Sequence, residues 1–390
     1  MKKEMQEVLQ HNILPFWINK MTDHENGGFY GEMNGHDQLV PTADKGAILN
    51  ARILWAFAAA YRVLKNNEYL DMATRAKRYL IDHFYDKEMG GVYWSVDYMG
   101  RPKDTKKQSY AIGFAIYGLS EYVRATGDKE ALEVAKHLFD DLESHAFDPV
   151  NNGYNEALTR NWQPIADMRL SDKDENGSKT MNTHLHIIEP YTNLLRVWPS
   201  PDLRNKTRNL VGIFLNHILN KETNHLDLFF DDEWQGKRNI QSFGHDIEAS
   251  WLLHETALVL ADKELLAQIE PVVKNIAVAS EEGLLDDGSM IGERWTDTGR
   301  VDGNRDWWVQ CENVIGNVNL YQHFNNLDAL DKARRCWRFI CNNLIDRSQG
   351  EWHWGVKPDS TLNLDDDKAG FWKCPYHNTR MCLEIIERDC

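Results

Sequence analysis

A glycine–aromatic signature recurs six times along this chain of 390 residues. Its copies start near residues 27, 90, 152, 225, 287 and 350, so successive copies are 63, 62, 73, 62 and 63 residues apart. A repeat spaced this evenly over the whole chain predicts one architecture built from six similar units. Each copy, such as GGVYWSVDYMGRP at 90–102, alternates aromatic and polar residues around Gly, Asn or Asp. That pattern predicts a short β-hairpin.

The segments between the signatures predict two kinds of helix. One kind has a single apolar stripe opposite a charged face, as in KEALEVAKHLFDDLESHA at 129–146, which is typical of a helix with one solvated side. The other kind is apolar around most of its circumference, as in residues 44–65, and predicts burial on most sides. Amphipathic helices are expected at 67–85, 129–146, 204–220, 264–281 and 328–346, and buried helices at 44–65, 105–126, 180–197, 241–262, 305–324 and 368–388.

These helices, with a further one at 2–20, predict an all-α fold. We expect an (α/α)6 barrel of twelve helices, six inner and six outer, with short β-hairpins between the helix pairs. The first helix should close the outer ring beside the last inner helix. The even repeat predicts that residues 1–390 form one catalytic domain.

Composition excludes several classes of partner and cofactor. The chain carries 44 Lys and Arg against 60 Asp and Glu, a net charge of −16 without a basic stripe, which argues against binding to nucleic acid or to anionic membranes. Its longest apolar stretches are too short to span a bilayer. The segment MKKEMQEVLQ has no apolar core typical of a signal peptide. Nucleotide-binding glycine loops and the HExxH zinc motif do not occur in the sequence, so we expect neither cofactor nor metal.

Six cysteines lie in the last eighty residues, without a CxxC pair or a regular framework. Together with the lack of an export signal, this predicts reduced thiols and a cytoplasmic protein. The sequence does not indicate an oligomeric state.

Polar and ionisable side chains interrupt the inner helices within two or three turns of each hairpin. Such groups are costly to bury without partners, and equivalent positions on six inner helices converge on one mouth of a barrel. We therefore expect the functional site at that mouth. Its candidate residues are Arg52, His184, His186, Glu189, His245, Glu248, Trp308, Glu312, Trp372 and His377.

Histidines are the most informative of these residues. His245 and Glu248 are three residues apart on one helix face, so the carboxylate can orient the imidazole; a metal site and a structural histidine are the alternatives. His377 belongs to the first turn of the last helix, after Pro375. His184 and His186 point in different directions on a helix, and we expect His184 in the cavity and His186 in a structural role.

Two aromatic residues and one arginine complete the expected site. Trp308 and Trp372 would provide flat walls of the kind that hold sugar rings, although both suit a core equally well. Arg52 lies among apolar residues and needs an anion or an oxygen as a partner. The long interval comes from the polar segment 166–180, which predicts either a solvated surface loop or a lid beside the site.

Three segments carry a resemblance to a known family. The chain with GHDIEASWLL (244–253), RDWWVQCENV (305–314) and FWKCPYHNTRMCLE (371–384) resembles the N-acylglucosamine 2-epimerase superfamily over nearly its whole length, and within it the cellobiose 2-epimerase group. The resemblance implies an (α/α)6 barrel that epimerises C2 of the reducing-end sugar of β-1,4-linked disaccharides such as cellobiose and lactose. It implies that His245 and His377 form the acid–base pair. It also implies that the substrate is contacted, or the histidines supported, by Arg52, His184, Glu248, Trp308, Glu312 and Trp372.

Imidazoles near neutral pKa suit a reaction through an enediolate, formed by removal of the C2 proton after the sugar ring opens. We expect His377 to take that proton and His245 to assist ring opening; whether one base or two act remains open at this stage. An aldose–ketose isomerase or an N-acylglucosamine 2-epimerase would use the same fold. An inverting glycosidase or lyase would need two carboxylates, such as Glu248 and Glu312. A non-catalytic sugar-binding protein is the last alternative.

Overall fold

The computed structural model describes residues 1–237 and 239–388, and within these residues the chain forms twelve helices in two concentric rings. Helix α1 comprises Lys2–Val8, Leu9–Ile13 and Leu14–Lys20. The other helices are α2 (Ala47–Leu64), α3 (Asn67–Tyr79), α4 (Ser109–Thr126), α5 (Lys129–Asp141), α6 (Met181–Leu195), α7 (Pro201–Ile213), α8 (Phe243–Leu260), α9 (Lys263–Ser280), α10 (Trp307–Phe324), α11 (Leu327–Asn343) and α12 (Tyr376–Arg388). Short turns extend α3 to Phe84, α5 to Ala146, α7 to Ile218 and α9 to Gly283.

The even-numbered helices form the inner ring. Each packs on the next, and α12 packs back on α2, which closes the circle. Helix α1 packs against α12 and completes the outer ring. The predicted (α/α)6 barrel is confirmed. Helix α2 is long and apolar enough to cross a membrane, but 78% of that stretch is buried inside the protein; its apolar character is that of an inner helix.

The last inner helix is shorter than predicted. It begins at Tyr376, whereas the hydrophobic pattern predicts a helix over 368–388. Pro375 explains the late start, because a proline disfavours helical backbone at the residue before it. Residues 368–375 instead form an irregular segment that brings Trp372 to the barrel mouth.

Short strands connect neighbouring repeats. In the first five repeats, the strand that leads into the inner helix pairs with the signature of the following repeat. The antiparallel pairs are Lys45–Gly46 with Ser95–Val96, Lys107–Gln108 with Ala157–Leu158, Lys179–Thr180 with Phe229–Phe230, Ile240–Ser242 with Glu293–Trp295, and Arg305–Asp306 with Gly355–Val356. Ser95–Val96 also pairs with Pro102–Asp104, and Glu293–Trp295 with Val301–Asp302, as the predicted hairpins. A bridge between Met33 and Ala369 joins the sixth repeat to the first.

Buried lysine–aspartate pairs hold the hairpins to the inner helices. In the first repeat, the carboxylate of Asp23 accepts the backbone N–H groups of Glu25 and Asn26, and its other oxygen lies 2.8 Å from Nζ of Lys45. Both charged side chains are fully buried. The same pairing recurs as Asp86 with Lys107, Asp148 with Lys179 and Asp346 with Lys368. Each pair therefore fixes the segment that leads into an inner helix, next to the candidate site.

Lys45→Met should lower the free energy of unfolding by about 3–5 kcal/mol, because it leaves the Asp23 carboxylate buried without its partner. Lys3→Met is the matched control: Lys3 is 90% exposed and lies 4.0 Å from Glu7, so its loss should cost at most about 1 kcal/mol. Urea unfolding of the two variants measures the difference. Equal costs would mean that the buried pair does not stabilise the fold.

Candidate active site

The N-terminal ends of the inner helices surround a cavity of about 490 Å³, a size that suits a small-molecule ligand. Six of the eight residues that the family resemblance assigns to the site line it: Arg52, His245, Glu248, Trp308, Trp372 and His377. A seventh, Glu312, lies beneath His377. The eighth, His184, lies elsewhere.

His377 is held by a buried carboxylate. Its Nδ1 lies 2.7 Å from Oε1 of Glu312, and the other oxygen of Glu312 accepts the indole N–H of Trp251 at 3.0 Å. A carboxylate at Nδ1 keeps the proton there and leaves Nε2 as the free base. Burial, and then the positive charges of Arg52 and Arg380, hold the pKa of His377 well below its usual 6.5. The imidazole is therefore neutral at pH 7.

His245 is the second imidazole of the cavity. Its Nδ1 hydrogen-bonds Oγ of Ser242 at 2.8 Å, at the end of the strand that leads into α8. Burial, and then the neighbouring His186, lower the pKa of His245 to about 3. The Trp308 ring contacts both imidazoles, with centroids 4.7 Å from His245 and 5.8 Å from His377. Two neutral imidazoles thus share one aromatic wall.

The expected roles of His184 and His186 are reversed. His186 lines the cavity, and its Nδ1 lies 3.0 Å from Oε2 of Glu189. His184 is fully buried outside the cavity: its Nδ1 donates to the carbonyl of Thr180 at 2.6 Å, and its Nε2 accepts the N–H of Tyr154 at 2.9 Å. Both ring nitrogens are therefore occupied by backbone groups, and the structure places His184 outside the cavity in which we expected it.

Comparison between repeats could have found this reversal. His184 comes four residues after the strand end at Thr180, as Asp246 follows Ser242 and Gln310 follows Asp306. Each of these three side chains accepts a hairpin N–H, from residues 154, 226 and 290 respectively. The position two residues further on carries His186, Glu248 and Glu312. The residue four positions after the strand end thus holds a hairpin in place, and the residue six positions after it contributes to the site.

Arg380 is the central residue that sequence reasoning missed. It lies on α12, three residues after His377, and its side chain is 1% exposed. One guanidinium nitrogen, Nη2, donates to Glu248 at 2.6 Å and to Glu312 at 2.7 Å. The other, Nη1, contacts Glu189 and the hydroxyl of Tyr376. Nothing in the segment HNTRMC distinguishes this arginine from a surface residue, since its partners come from three other repeats.

Arg52 offers a second positive charge to the cavity. Its Nη2 donates to the hydroxyl of Tyr110 at 2.8 Å, and its guanidinium carbon lies 4.1 Å from the Phe114 ring centroid and 4.9 Å from that of Tyr376. No carboxylate among the described residues forms an ion pair with it. Arg52 is therefore able to bind an oxygen that gains negative charge in the cavity.

Glu248, Glu312 and His377 place ligand-type atoms within 4.8 Å of one another. The guanidinium of Arg380 already donates to both carboxylates and supplies their positive charge. Nδ1 of His377 is likewise engaged, by Glu312. These contacts account for the cluster as an ion-pair network, and the expectation of no metal stays a prediction.

Residues 170–174 of the long polar segment also line the cavity. The side-chain amide of Gln108 holds the segment by donating to the carbonyls of Met168 at 3.2 Å and Arg169 at 3.0 Å. The segment thus forms part of the cavity wall, as a lid beside the site would.

Comparison with known proteins identifies the family. The family described as N-acylglucosamine 2-epimerase (GlcNAc 2-epimerase) matches residues 28–380. The chain belongs to this family. Its members named by the comparisons are carbohydrate epimerases, which are isomerases, and the predicted resemblance is confirmed.

Two relatives resemble the chain over almost their full length. A cellobiose 2-epimerase of Bacteroides fragilis is 61% identical over 99% of this chain and 98% of its own length. A cellobiose 2-epimerase of Ruminococcus albus is 41% identical over 100% of this chain and 99% of its own length.

Solved structures agree with this assignment. The cellobiose 2-epimerase of Bacillus thermoamylovorans superposes with a TM-score of 0.94 at 40% identity, over 99% of this chain and 98% of that chain. A D-mannose isomerase has a TM-score of 0.86 at 19% identity, over 100% and 98% of the two chains. The second likeness shows a common fold only.

Replacing His184 and His186 should separate their roles. His184→Ala removes the acceptor of the buried Tyr154 N–H, so we expect a loss of about 1–3 kcal/mol in the free energy of unfolding, with little change in kcat/KM of the folded protein. His186→Ala removes a polar group from the cavity wall and should instead lower kcat/KM by about tenfold, the effect of one lost hydrogen bond, with a smaller change in stability. Urea unfolding and steady-state kinetics of both variants test this. The opposite pattern would return His184 to the site.

Proposed function

We propose that this protein is a cellobiose 2-epimerase, which interconverts glucose and mannose at the reducing end of β-1,4-linked disaccharides. The observation that carries the proposal is the pair of neutral imidazoles, His245 and His377, that face one cavity and share the wall formed by Trp308. Neutral imidazole is a base, and C2 epimerisation begins by removing a proton. The names of the relatives support cellobiose as the substrate.

The reaction starts by opening the pyranose ring. His245 moves a proton between the C1 hydroxyl and the ring oxygen, which exposes an aldehyde at C1. Ser242 supports this role, because its hydroxyl fixes Nδ1 of His245 and leaves Nε2 for the sugar.

His377 then removes the C2 proton with Nε2. The imidazolium that forms is stabilised by Glu312 at Nδ1, as a carboxylate stabilises the histidine of a catalytic triad. The electrons of the C–H bond form the enediolate, with negative charge on the C1 oxygen. Arg52 donates to this oxygen in a site largely shielded from water. Rotation about the C2–C3 bond then turns the opposite face of the enediolate to His377, and the imidazolium returns its proton to C2, which gives the epimer and restores the neutral base.

Trp372 and Trp308 hold the sugar rings. Trp372 packs beside Trp94 and Tyr110, with ring centroids 6.0 and 6.1 Å away, so its position is set by aromatic contacts. With residues 170–174, these rings form the apolar and polar walls that a disaccharide needs.

We also infer a cytoplasmic location. Five cysteines, Cys311, Cys336, Cys341, Cys374 and Cys382, are free thiols, as in proteins of a reducing compartment. Cys390 lies outside the described residues.

Proton NMR of cellobiose with the purified protein in heavy water tests the proposal. We expect the C2 proton to exchange with deuterium and a reducing-end mannose signal to appear. A ketose would instead indicate an aldose–ketose isomerase, released glucose a glycosidase, and binding without exchange a sugar-binding protein. The same measurement with N-acetylglucosamine tests the N-acylglucosamine 2-epimerase alternative.

His377→Asn should reduce C2 exchange and epimerisation together by about 10²–10⁴-fold, because the base is lost. His245→Asn should slow epimerisation of the closed sugar more than exchange in substrate that is already open. Deuterium incorporation and mannose formation, followed in parallel, separate the two roles. Undiminished exchange in both single variants would refute the pair.

The pH profile should reflect the low pKa of His377. Only the neutral imidazole accepts the C2 proton, so activity is lost as pH falls through its pKa in the folded protein, which lies below 6.5. We therefore expect kcat/KM to stay flat from pH 7.5 to about 6.5 and to fall only under more acidic conditions. An acid limb centred above 6.5 would contradict a desolvated base.

Trp372→Ala should raise KM for cellobiose more than for a monosaccharide substrate, because a flat aromatic wall contributes most where two rings are bound. Loss of one stacking contact is expected to cost about 1 kcal/mol. Steady-state kinetics with cellobiose and mannose measure the ratio. Equal effects on both substrates would remove Trp372 from the second sugar subsite.

A further inference from the structure

Three buried carboxylates surround one guanidinium at the floor of the cavity. Glu189, Glu248 and Glu312 all accept from Arg380, and each side chain is at most 1% exposed. The nearest further cation is Arg52, whose guanidinium faces the Tyr376 ring from 4.9 Å while that of Arg380 faces it from 4.5 Å. Two positive charges thus meet three carboxyl groups. Because an uncompensated buried charge is costly, one of the three carboxyl groups should carry a proton.

The hydrogen-bond donors around each carboxyl group identify which one. Glu312 accepts from His377, Arg380 and Trp251. Glu189 accepts from His186, Arg380 and Tyr376. Glu248 accepts from Arg380 alone among the described residues. Donors stabilise the ionised form of a carboxyl group, so the proton belongs on Glu248.

The two oxygens of the Glu248 carboxyl group have different surroundings. Its Oε1 faces Arg380, and its Oε2 is buried without a hydrogen-bond partner in the described part of the chain. Glu248 also lines the cavity. A proton on Oε2 would have no protein acceptor, and the remaining neighbour is whatever fills the cavity.

We propose that Glu248 acts as a neutral carboxylic acid whose Oε2–H donates a hydrogen bond to the C1 oxygen of the opened sugar. This inference rests on the proposed function and assigns a protonation state and a donor role within that site. As negative charge develops on the C1 oxygen, the hydrogen bond strengthens, and Arg52 and Glu248 together stabilise the enediolate. The proton remains on Glu248 throughout, so no net transfer from it is needed.

The groups around Glu248 favour its neutral form. The groups packed around Glu248 are Arg380, Tyr376 and His377 from α12, Glu312 from α10, Glu189 and His186 from α6, Tyr110 from α4 and Arg52 from α2. Burial, and then the charge of Glu312, raise the pKa of Glu248 well above its usual value, although Arg380 acts in the opposite direction.

Three variants test the proposal through kcat/KM for cellobiose. Glu248→Gln keeps an oxygen for Arg380 and places an N–H donor where Oε2–H stood, so we expect a loss of less than about tenfold. Glu248→Met has a similar length but no donor, and should lose about 10²–10³-fold. Glu312→Gln is the matched control on the same guanidinium nitrogen: there the charge supports His377, and the neutral amide should lose at least about 10²-fold.

The pH profile and infrared spectroscopy provide readouts that a merely structural role would not change. An acid that works in its protonated form loses activity as pH rises through its pKa. The wild type should therefore have an alkaline limb that Glu248→Gln lacks. In heavy water, the infrared spectrum of the wild type minus that of Glu248→Gln should contain the carbonyl stretch of a protonated carboxylic acid; other buried carboxyl groups, such as Glu156, whose pKa burial raises to about 8, cancel in this difference spectrum.

The outcomes distinguish the two proposals. Absence of epimerisation in the wild type overturns the proposed function, while the infrared band, which needs no substrate, still decides the state of Glu248. An active wild type in which Glu248→Gln is as impaired as Glu248→Met, or a difference spectrum without the carboxylic acid band, overturns the neutral acid. Circular dichroism spectra and unfolding midpoints confirm that each variant compared is folded.

Discussion

Backbone pairing between neighbouring repeats is the constraint on which the molecule depends. Each of the first five repeats contributes a two- or three-residue strand, too short to be stable alone, and this strand pairs with the signature of the next repeat. The chain becomes a ring only because the sixth repeat reaches the first, through the Met33–Ala369 bridge and the packing of α12 on α2. Closure brings the N-terminal ends of all six inner helices to one end of the barrel. The cavity exists because of that convergence.

The repeats are alike in structure but not in chemistry. Six residues after the strand, the first five repeats carry Arg52, Phe114, His186, Glu248 and Glu312 in turn, and Arg380 of the sixth repeat donates to the last two. One structural position thus provides a cation, an aromatic ring, an imidazole and two carboxylates. Residues needed to hold the ring, such as the buried lysines and aspartates of the hairpins, recur instead. Recurrence therefore marks what the fold requires, and divergence at an equivalent position marks the site.

Periodicity was sufficient to predict the twelve helices, because a hydrophobic pattern reports burial directly. It failed where a local backbone rule overrides burial, at Pro375, which delays the last helix to Tyr376. Seven of the candidate site residues line the cavity, and all of them except Trp372 lie near the N-terminal ends of inner helices. His184 also interrupts an apolar helix near its N-terminal end. It lies four residues after the strand end at Thr180, and at that position the side chain accepts a hairpin N–H instead of lining the cavity. Arg380 was not predictable from its neighbours in sequence, because its partners come from α6, α8 and α10.

The positive charges at the floor of the cavity affect both the base that removes the C2 proton and the enediolate that forms. Arg52 and Arg380 lower the pKa of His377, which keeps the base neutral but also makes it a weaker proton acceptor. A weak base is useful only if the carbanion it creates is strongly stabilised. The same cations favour the enediolate, so the charge that weakens the base also lowers the energy of its product. Glu312 also favours the proton transfer, because its negative charge stabilises the imidazolium that forms when His377 takes the proton. The carboxylates, the guanidiniums and the imidazoles therefore function as one electrostatic unit, and a change of charge at any of them should alter the proton affinity of the others.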